Sequence, residues 1–128
     1  MLSILIPVRN ESDASEDIIE HFSKNLINLN YEVLIINDFS EDDTLKKIEN
    51  LILGKSNFRV LNNSKKGLGG AINLGIRESK GKNIAIMMAD GSDDINDLIN
   101  YNKLINSDNY DAILGSRFLK ESKVIDYP

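Results

Sequence analysis

Short apolar runs and helical patterns alternate along the chain. "SILIPV" (Ser3 to Val8), "EVLIIN" (Glu32 to Asn37), "FRVLN" (Phe58 to Asn62), "NIAIMMA" (Asn83 to Ala89) and "YDAILGS" (Tyr110 to Ser116) are compact runs bounded by polar or turn residues. Near-continuous apolar character, without polar alternation, predicts strands buried on both faces. Between them lie segments with apolar residues at helical spacing. "DIIEHFSKNLINL" (Asp17 to Leu29) puts Ile18, Ile19, Phe22, Leu26 and Leu29 on one stripe. "TLKKIENLIL" stops at Gly54, a C-terminal helix signal, and "GGAINLGIRES" has Gly81 just past its end. "DDINDLINYNKLIN" carries Ile95, Leu98, Ile99 and Ile105 on its apolar face. The order β-α-β-α-β-α-β-α-β predicts an α/β fold, a Rossmann-like, mostly parallel sheet with helices on both faces. No repeat or linker interrupts residues 1–128, which read as one domain, and the closing "LKESKVIDYP" has no clear pattern.

Composition narrows the function classes. The net charge is −5 with no dense Lys/Arg block, which argues against a nucleic-acid partner. There is no cysteine, so disulfides and thiolate metal sites are excluded, and His21 alone cannot build a multi-histidine zinc site. No apolar run approaches the roughly 20 residues that cross a bilayer, and "MLSILIPVRNE" lacks the basic start of a signal peptide.

Ligands of parallel α/β sheets bind outside the carboxyl ends of the strands. Those ends read "PVRNE", "NDFSEDDT", "NNSKKGLGGA", "ADGSDD" and "GSRF". Asp42, Asp43 and Asp94 precede helices and serve equally well as caps. Glu11, Asp38, Asp90 and Arg117 come from four separate loops and are expected to converge on one rim. The glycine-rich "GLGGAINLG" is not a dinucleotide fingerprint, because it follows the third strand rather than the first. Gly67, Gly69 and Gly70 suit a close backbone approach to a ligand or strand, while Gly70 and Gly75 suit a tight turn and close helix packing just as well.

Together these loops resemble the nucleotide-sugar-binding half of family-2 glycosyltransferases of the GT-A fold, nearest the polyprenyl-phosphate (dolichol-phosphate) mannosyl- and glucosyltransferase branch. That family reads P-x-Y-N-E where this chain has "PVRNE", and D-D-G-S-x-D-x-T where it has "NDFSEDDT", keeping Asp38, Ser40, Asp42 and Thr44. It reads G-x-G-x-A-x-x-x-G where this chain has "GLGGAINLG", D-A-D where it has "MAD", and G-[ST]-R-[YF] where it has "GSRF". Each motif alone is weak; the ordered set over nearly all of the chain is specific. Four positions depart from the pattern: Met88 replaces the first acid of D-A-D, Phe39 a glycine, Asn37 an acid, and Arg9 an aromatic.

The resemblance implies a nucleoside diphosphate sugar as donor, bound by Pro7, Arg9, Glu11, Asp38, Gly67, Ala89 and Asp90. It gives Asp90 and Arg117 catalytic roles and makes Asp90, with Asp93, the holder of Mg²⁺ or Mn²⁺. A thioether is a poor ligand for such hard cations, so Met88 leaves the protein short of oxygens. The implied reaction inverts the anomeric centre and transfers the sugar to a polyprenyl phosphate or a glycan. The implied setting is cytoplasmic, at the cytoplasmic face of the membrane in a full-length protein, with no span in this chain; a homo-oligomer is compatible with it. Residues 1–128 would be the N-terminal portion of a longer enzyme, or else a catalytically incomplete nucleotide-sugar-binding module. A sugar nucleotidyltransferase would carry a Gly-rich basic loop after strand one, and a phosphoacceptor receiver domain would carry paired acids there; "PVRNE" is neither.

Overall fold

The computed structural model describes residues 1–107, 109–116 and 118–121. Contacts group the chain into two compact units, Met1–Ile95 and Asn96–Pro128. The first contains a four-stranded sheet, β1 (Leu2–Val8), β2 (Tyr31–Asn37), β3 (Phe58–Asn62) and β4 (Asn83–Ile86), in the order β3-β2-β1-β4. Every neighbouring pair is parallel, with Leu5 opposite Leu34 on one side and Ile86 on the other. Helices α1 (Ser15–Asn25), α2 (Thr44–Leu51) and α3 (Leu68–Glu78) make the crossovers. Helix α4 (Ile95–Ile105) belongs to the second unit from Asn96 onward.

Paired residues of a parallel sheet project to the same face. Leu5, Leu34 and Ile36 therefore share a face, where they form a fully buried cluster with Ala71 of α3, and Leu61 and Leu74 close its margin. Gly75 lets α3 lie close: a Cβ there would meet the Leu5 side chain at 2.9 Å. Ile4, Ile6, Val33 and Ile35 face the other way and are equally buried, as are Ile19 and Phe22 of α1 and Ile48 of α2; right-handed crossovers put α1 and α2 on that face and α3 on the opposite one. The chain runs β1-β2-β3 in one direction, then crosses to β4 on the far side of β1. This reversal opens a crevice at the carboxyl ends of β1 and β4.

Proline 7 helps to open it. Met87 donates its N–H to the Leu5 carbonyl at 3.0 Å, so the next rung of the parallel ladder would be the residue-7 N–H on Met87. Proline has no N–H to give, and β4 ends at Ile86 rather than continuing through Ala89 as the apolar run suggests.

One expected element is absent. "YDAILGS" forms no strand among the described residues, and Leu114 is 90% exposed. Strand propensity gives no structure without a ladder partner, and among the described residues this segment has none. Helix α1 also ends earlier than its apolar stripe predicts, because the Asn25 amide turns back to the His21 carbonyl at 2.7 Å and ties off the last turn.

Candidate functional site

The strand-end loops are first bound to one another. Asn10 sits at φ 54 after β1; its N–H donates to Ser40 Oγ at 3.0 Å, and its Oδ1 accepts from the Glu41 N–H at 2.8 Å. The Glu11 N–H donates to Thr44 Oγ1 at 2.9 Å, and Ser12 Oγ bonds Asp43. Asp42 Oδ1 accepts from the Thr44 N–H at 3.0 Å and from its hydroxyl, and these bonds hold the Asp42 carboxyl below its usual range. Asn10, Ser40, Asp42 and Thr44 thus spend their polar atoms on fastening the first loop to the second. Asn37 ends β2 by donating to Asn62 Oδ1 at 3.0 Å and accepting from the Ser40 N–H at 3.2 Å.

Above this clamp lies a cavity of about 240 Å³ lined by Pro7, Val8, Arg9, Glu11, Asp38, Leu68, Met88, Ala89 and Asp90. Parity explains much of the lining. Pro7 is paired with Ile36, on the α3 face; Arg9 and Asp38 follow two residues later, just past the last paired residues Val8 and Asn37, and line the same cavity.

Asp38 is buried, 7% exposed. Its Oδ1 accepts from Asn63 Nδ2 at 2.8 Å and from the Gly67 N–H at 2.9 Å, and its Oδ2 stands 3.2 Å from that same N–H. Gly67 has φ 113 and ψ 157, a conformation open essentially to glycine alone, and that conformation aims its N–H at the carboxylate. Asn63 anchors the same loop: its Oδ1 accepts from the Lys65 N–H at 3.1 Å and its amide donates to the Lys65 carbonyl at 2.6 Å. Gly70 is required by this turn, since a Cβ there would fall 1.9 Å from the Lys65 oxygen.

The remaining site residues differ in their freedom. The Glu11 carboxylate, half-buried, has no hydrogen-bond partner among the described residues. Asp90 is exposed, and one of its oxygens accepts from the Ser92 N–H at 3.0 Å. Asp93 lies outside the cavity lining and uses Oδ2 to accept the Met88 N–H at 2.7 Å, which shapes the turn after β4. A wider cavity of about 500 Å³, against α1, includes His21, Phe22, Met87 and Asp93 and shares Met88, Ala89 and Asp90 with the first.

Pro7, Arg9, Glu11, Asp38, Ala89 and Asp90 are therefore brought together, with Gly67 behind Asp38. Arg117 lies outside the described residues. Val8, Asn63 and Leu68 are contributors that the sequence did not single out. Asn63 had a signal, an Asn two residues before a turn N–H at the mouth of a glycine loop; Leu68 had none. For a divalent cation the donor set is sparse: no group of three His, Asp or Glu residues gathers among the described residues. Asp90 fits as a single anchoring carboxylate for a cation whose other oxygens come from a bound ligand. No helix among the described residues is long and apolar enough to cross a membrane.

The family described as glycosyl transferase family 2 matches residues 3–128. Dolichol-phosphate mannosyltransferase of Pyrococcus furiosus is 30% identical over 99% of this chain, and dolichyl-phosphate beta-glucosyltransferase of Dictyostelium discoideum is 33% identical over 75% of it. The chain spans about a third of these relatives, 36% and 32% of their lengths. Among solved structures, S. aureus TarS in complex with UDP-GlcNAc superposes with a TM-score of 0.68 at 20% identity, covering 83% of this chain and 31% of that one. The mannosyltransferase PcManGT from Pyrobaculum calidifontis, in complex with GDP-Man and Mn²⁺, gives 0.62 at 18% identity, covering 70% of this chain and 27% of that one.

Proposed function

The chain belongs to glycosyltransferase family 2, and on that premise we propose that its strand-end cavity binds a nucleoside diphosphate sugar and presents it for inverting transfer. The observation that carries this reading is the convergence of Pro7, Arg9, Glu11, Asp38, Ala89 and Asp90 on one cavity at the reversal of strand order. Asp38 and Arg9 serve the nucleoside end, on β2 and β1. Asp90 serves the diphosphate end, beyond β4.

Charge develops on the departing diphosphate as the glycosidic bond breaks, so the site must stabilise an anion. Asp90 would hold Mg²⁺ or Mn²⁺, which supplies Lewis-acid stabilisation of the diphosphate oxygens when bound. Arg117 would add a bidentate phosphate contact. Glu11, with its free carboxylate, and Asp38, with the open side of Oδ2, offer acceptors to donor groups of the nucleoside. The names of the relatives point to a polyprenyl phosphate acceptor, which is already anionic at neutral pH and asks for little general-base help; a glycan hydroxyl would require a carboxylate base. Met88 and the sparse donor set among the described residues favour a second reading, a catalytically incomplete module that binds the nucleotide sugar without transferring it.

A thermal-shift series with UDP-, GDP- and dTDP-sugars, with and without Mn²⁺, tests the proposal. At least one sugar nucleotide is expected to raise the melting temperature, and Asp90→Asn to remove any Mn²⁺ contribution while retaining metal-free binding. No stabilisation by any of them overturns the reading.

A further inference from the structure

Strand β4 is a sheet edge: it pairs with β1, and among the described residues no strand lies on its other side. Successive residues of a strand turn their backbone N–H and C=O groups to opposite edges. Met87 gives its N–H to Leu5 of β1, so Ala85 also bonds inward, and Ile84 and Ile86 turn their backbone groups to the open edge. The edge is closed at both ends. The Lys82 N–H goes to the Met1 carbonyl at 3.1 Å, and the Met88 N–H to Asp93 Oδ2 at 2.7 Å. Sheet edges are commonly blunted by proline or charge, and Asn83–Ile86 carries neither. Its side chains are uncovered as well. Ile86 is paired with Leu5 and shares the α3 face with it, yet Ile84 and Ile86 are 42% and 48% exposed while Leu5 is fully buried.

This edge is complementary to itself. With two β4 strands antiparallel and Ala85 opposite Ala85, Ile84 of each copy stands opposite Ile86 of the other. Both are outward-bonding residues, so each such pair exchanges two N–H···O bonds, and both project to one face, so the isoleucines meet. A slip of one residue would oppose outward-bonding to inward-bonding positions. A longer slip would call on the N–H of Met88 or of Lys82, and Asp93 and Met1 have taken those. Charge agrees with the same arrangement. Lys80 and Lys82 lie before the strand, Asp90 and Asp93 after it, and all four are exposed. Antiparallel pairing brings the basic end of each copy to the acidic end of the other.

We propose that β4 is a self-association edge, pairing antiparallel with β4 of a second copy of this chain about a two-fold axis beside Ala85. The two sheets then join in the order β3-β2-β1-β4 and, onward, β4-β1-β2-β3 of the second copy. The contact is isologous and closed, so it ends at a dimer. One short strand per copy covers less than the roughly 800 Å² per partner of a standard stable interface, so the dimer dissociates on dilution. The proposal is independent of the nucleotide-sugar reading.

Sedimentation velocity of the 128-residue chain over a wide concentration range, with amide hydrogen exchange at both extremes, tests it. A monomer–dimer equilibrium is expected, with the Ile84 and Ile86 amides protected at high concentration and exchanging fast on dilution. Ile86→Lys places a charge opposite Ile84 of the second copy and is expected to weaken dimerisation about tenfold. Ile86→Pro removes an N–H that the monomer does not use and is expected to act likewise, with circular dichroism unchanged. A chain that stays monomeric at every concentration overturns the proposal. Protection of Ile84 and Ile86 in the monomer means that the chain covers its own edge, and overturns it too. So does a dimer in which the Ile84 and Ile86 amides still exchange fast, because its interface lies elsewhere.

Discussion

Strand β2 carries a buried carboxylate at each end, Glu32 at its start and Asp38 just past its finish, and the two have opposite fates. Glu32 is 6% exposed and its oxygens are fully engaged. Oε1 accepts from Ser3 Oγ and the Lys80 N–H, both at 2.6 Å, and Oε2 accepts from Arg59 Nη2 at 3.1 Å. Ser3 in turn accepts the Gly81 N–H at 2.8 Å, and Arg59 donates to the Glu78 carbonyl at 2.7 Å. One carboxylate thus pins β1, β2, β3 and the turn after α3. Asp38 has nearly the same burial, but its bonds come from one side, Asn63 and Gly67, and its other side borders a cavity. Burial of a charge does not identify a functional residue; what matters is whether the protein itself fills the hydrogen-bonding capacity.

The largest expected effect breaks the closed end. Glu32→Ala strands Arg59, whose Nε already has no partner among the described residues, and leaves the Ser3 hydroxyl and Lys80 N–H short of an acceptor. Breaking a buried pair costs about 3–5 kcal/mol, and the partial exposure of Arg59 brings the expectation to about 2–3 kcal/mol, read from urea midpoints. Nucleotide affinity of the folded fraction should not change. pH sharpens the same test. Burial pushes the Glu32 carboxyl up, but the bonds from Ser3, Lys80 and Arg59 outweigh it and hold the group below its ordinary 4.5. A carboxylate depressed in the folded state contributes stability above its unfolded pKa and loses it as pH falls through the folded value. The stability gap between wild type and Glu32→Gln should therefore be full at neutral pH and shrink below about pH 4.5.

At the open end the effect should move from stability to binding. Asp38→Asn keeps an oxygen that can accept from Gly67 and Asn63, so the melting temperature should shift little. Its affinity for a nucleoside diphosphate should fall by about 1–3 kcal/mol, the worth of a charge-assisted hydrogen bond, measured by calorimetry. If Asp38→Asn instead lost stability on the scale of Glu32→Ala with unchanged affinity, the two ends would be alike and the contrast would collapse.

The smallest effect lies beside Asp38. Phe39 is held at φ 59, where a side chain costs about 1–2 kcal/mol and glycine is at ease. Phe39→Gly should raise stability by about 0.5 kcal/mol after the added freedom of the unfolded glycine is counted, seen as a small rise in the urea midpoint. Because Phe39 does not line the cavity, nucleotide affinity should be unchanged.

Much of the fold was legible because it rests on periodicity. Uninterrupted apolar runs announced β1 and β2, buried on both faces, and helical spacing announced α1 to α4 within a few residues. The run that reached Ala89 could not reveal that its ladder stops at Ile86, because the cause is a proline on another strand. "YDAILGS" has the composition of a strand without a partner, and composition carries no information about partners. At the site, the motifs located the right loops but not the division of labour within them. Asn10, Ser40, Asp42 and Thr44 look as functional in the sequence as Glu11 and Asp38, yet they bind one another.

The sequence by itself determined the alternation of strands and helices, the polar loops at the strand ends and the residue types available there, since each depends on neighbours close along the chain. The tertiary structure alone decided which carboxylates are used up and which remain open. A hydrogen bond between residues some 25 to 30 positions apart, such as Asn63 to Asp38 or Gly67 to Asp38, exists only once the strands are in register. Those bonds hold the Asp38 carboxylate against the loop before α3 while its other side borders the cavity.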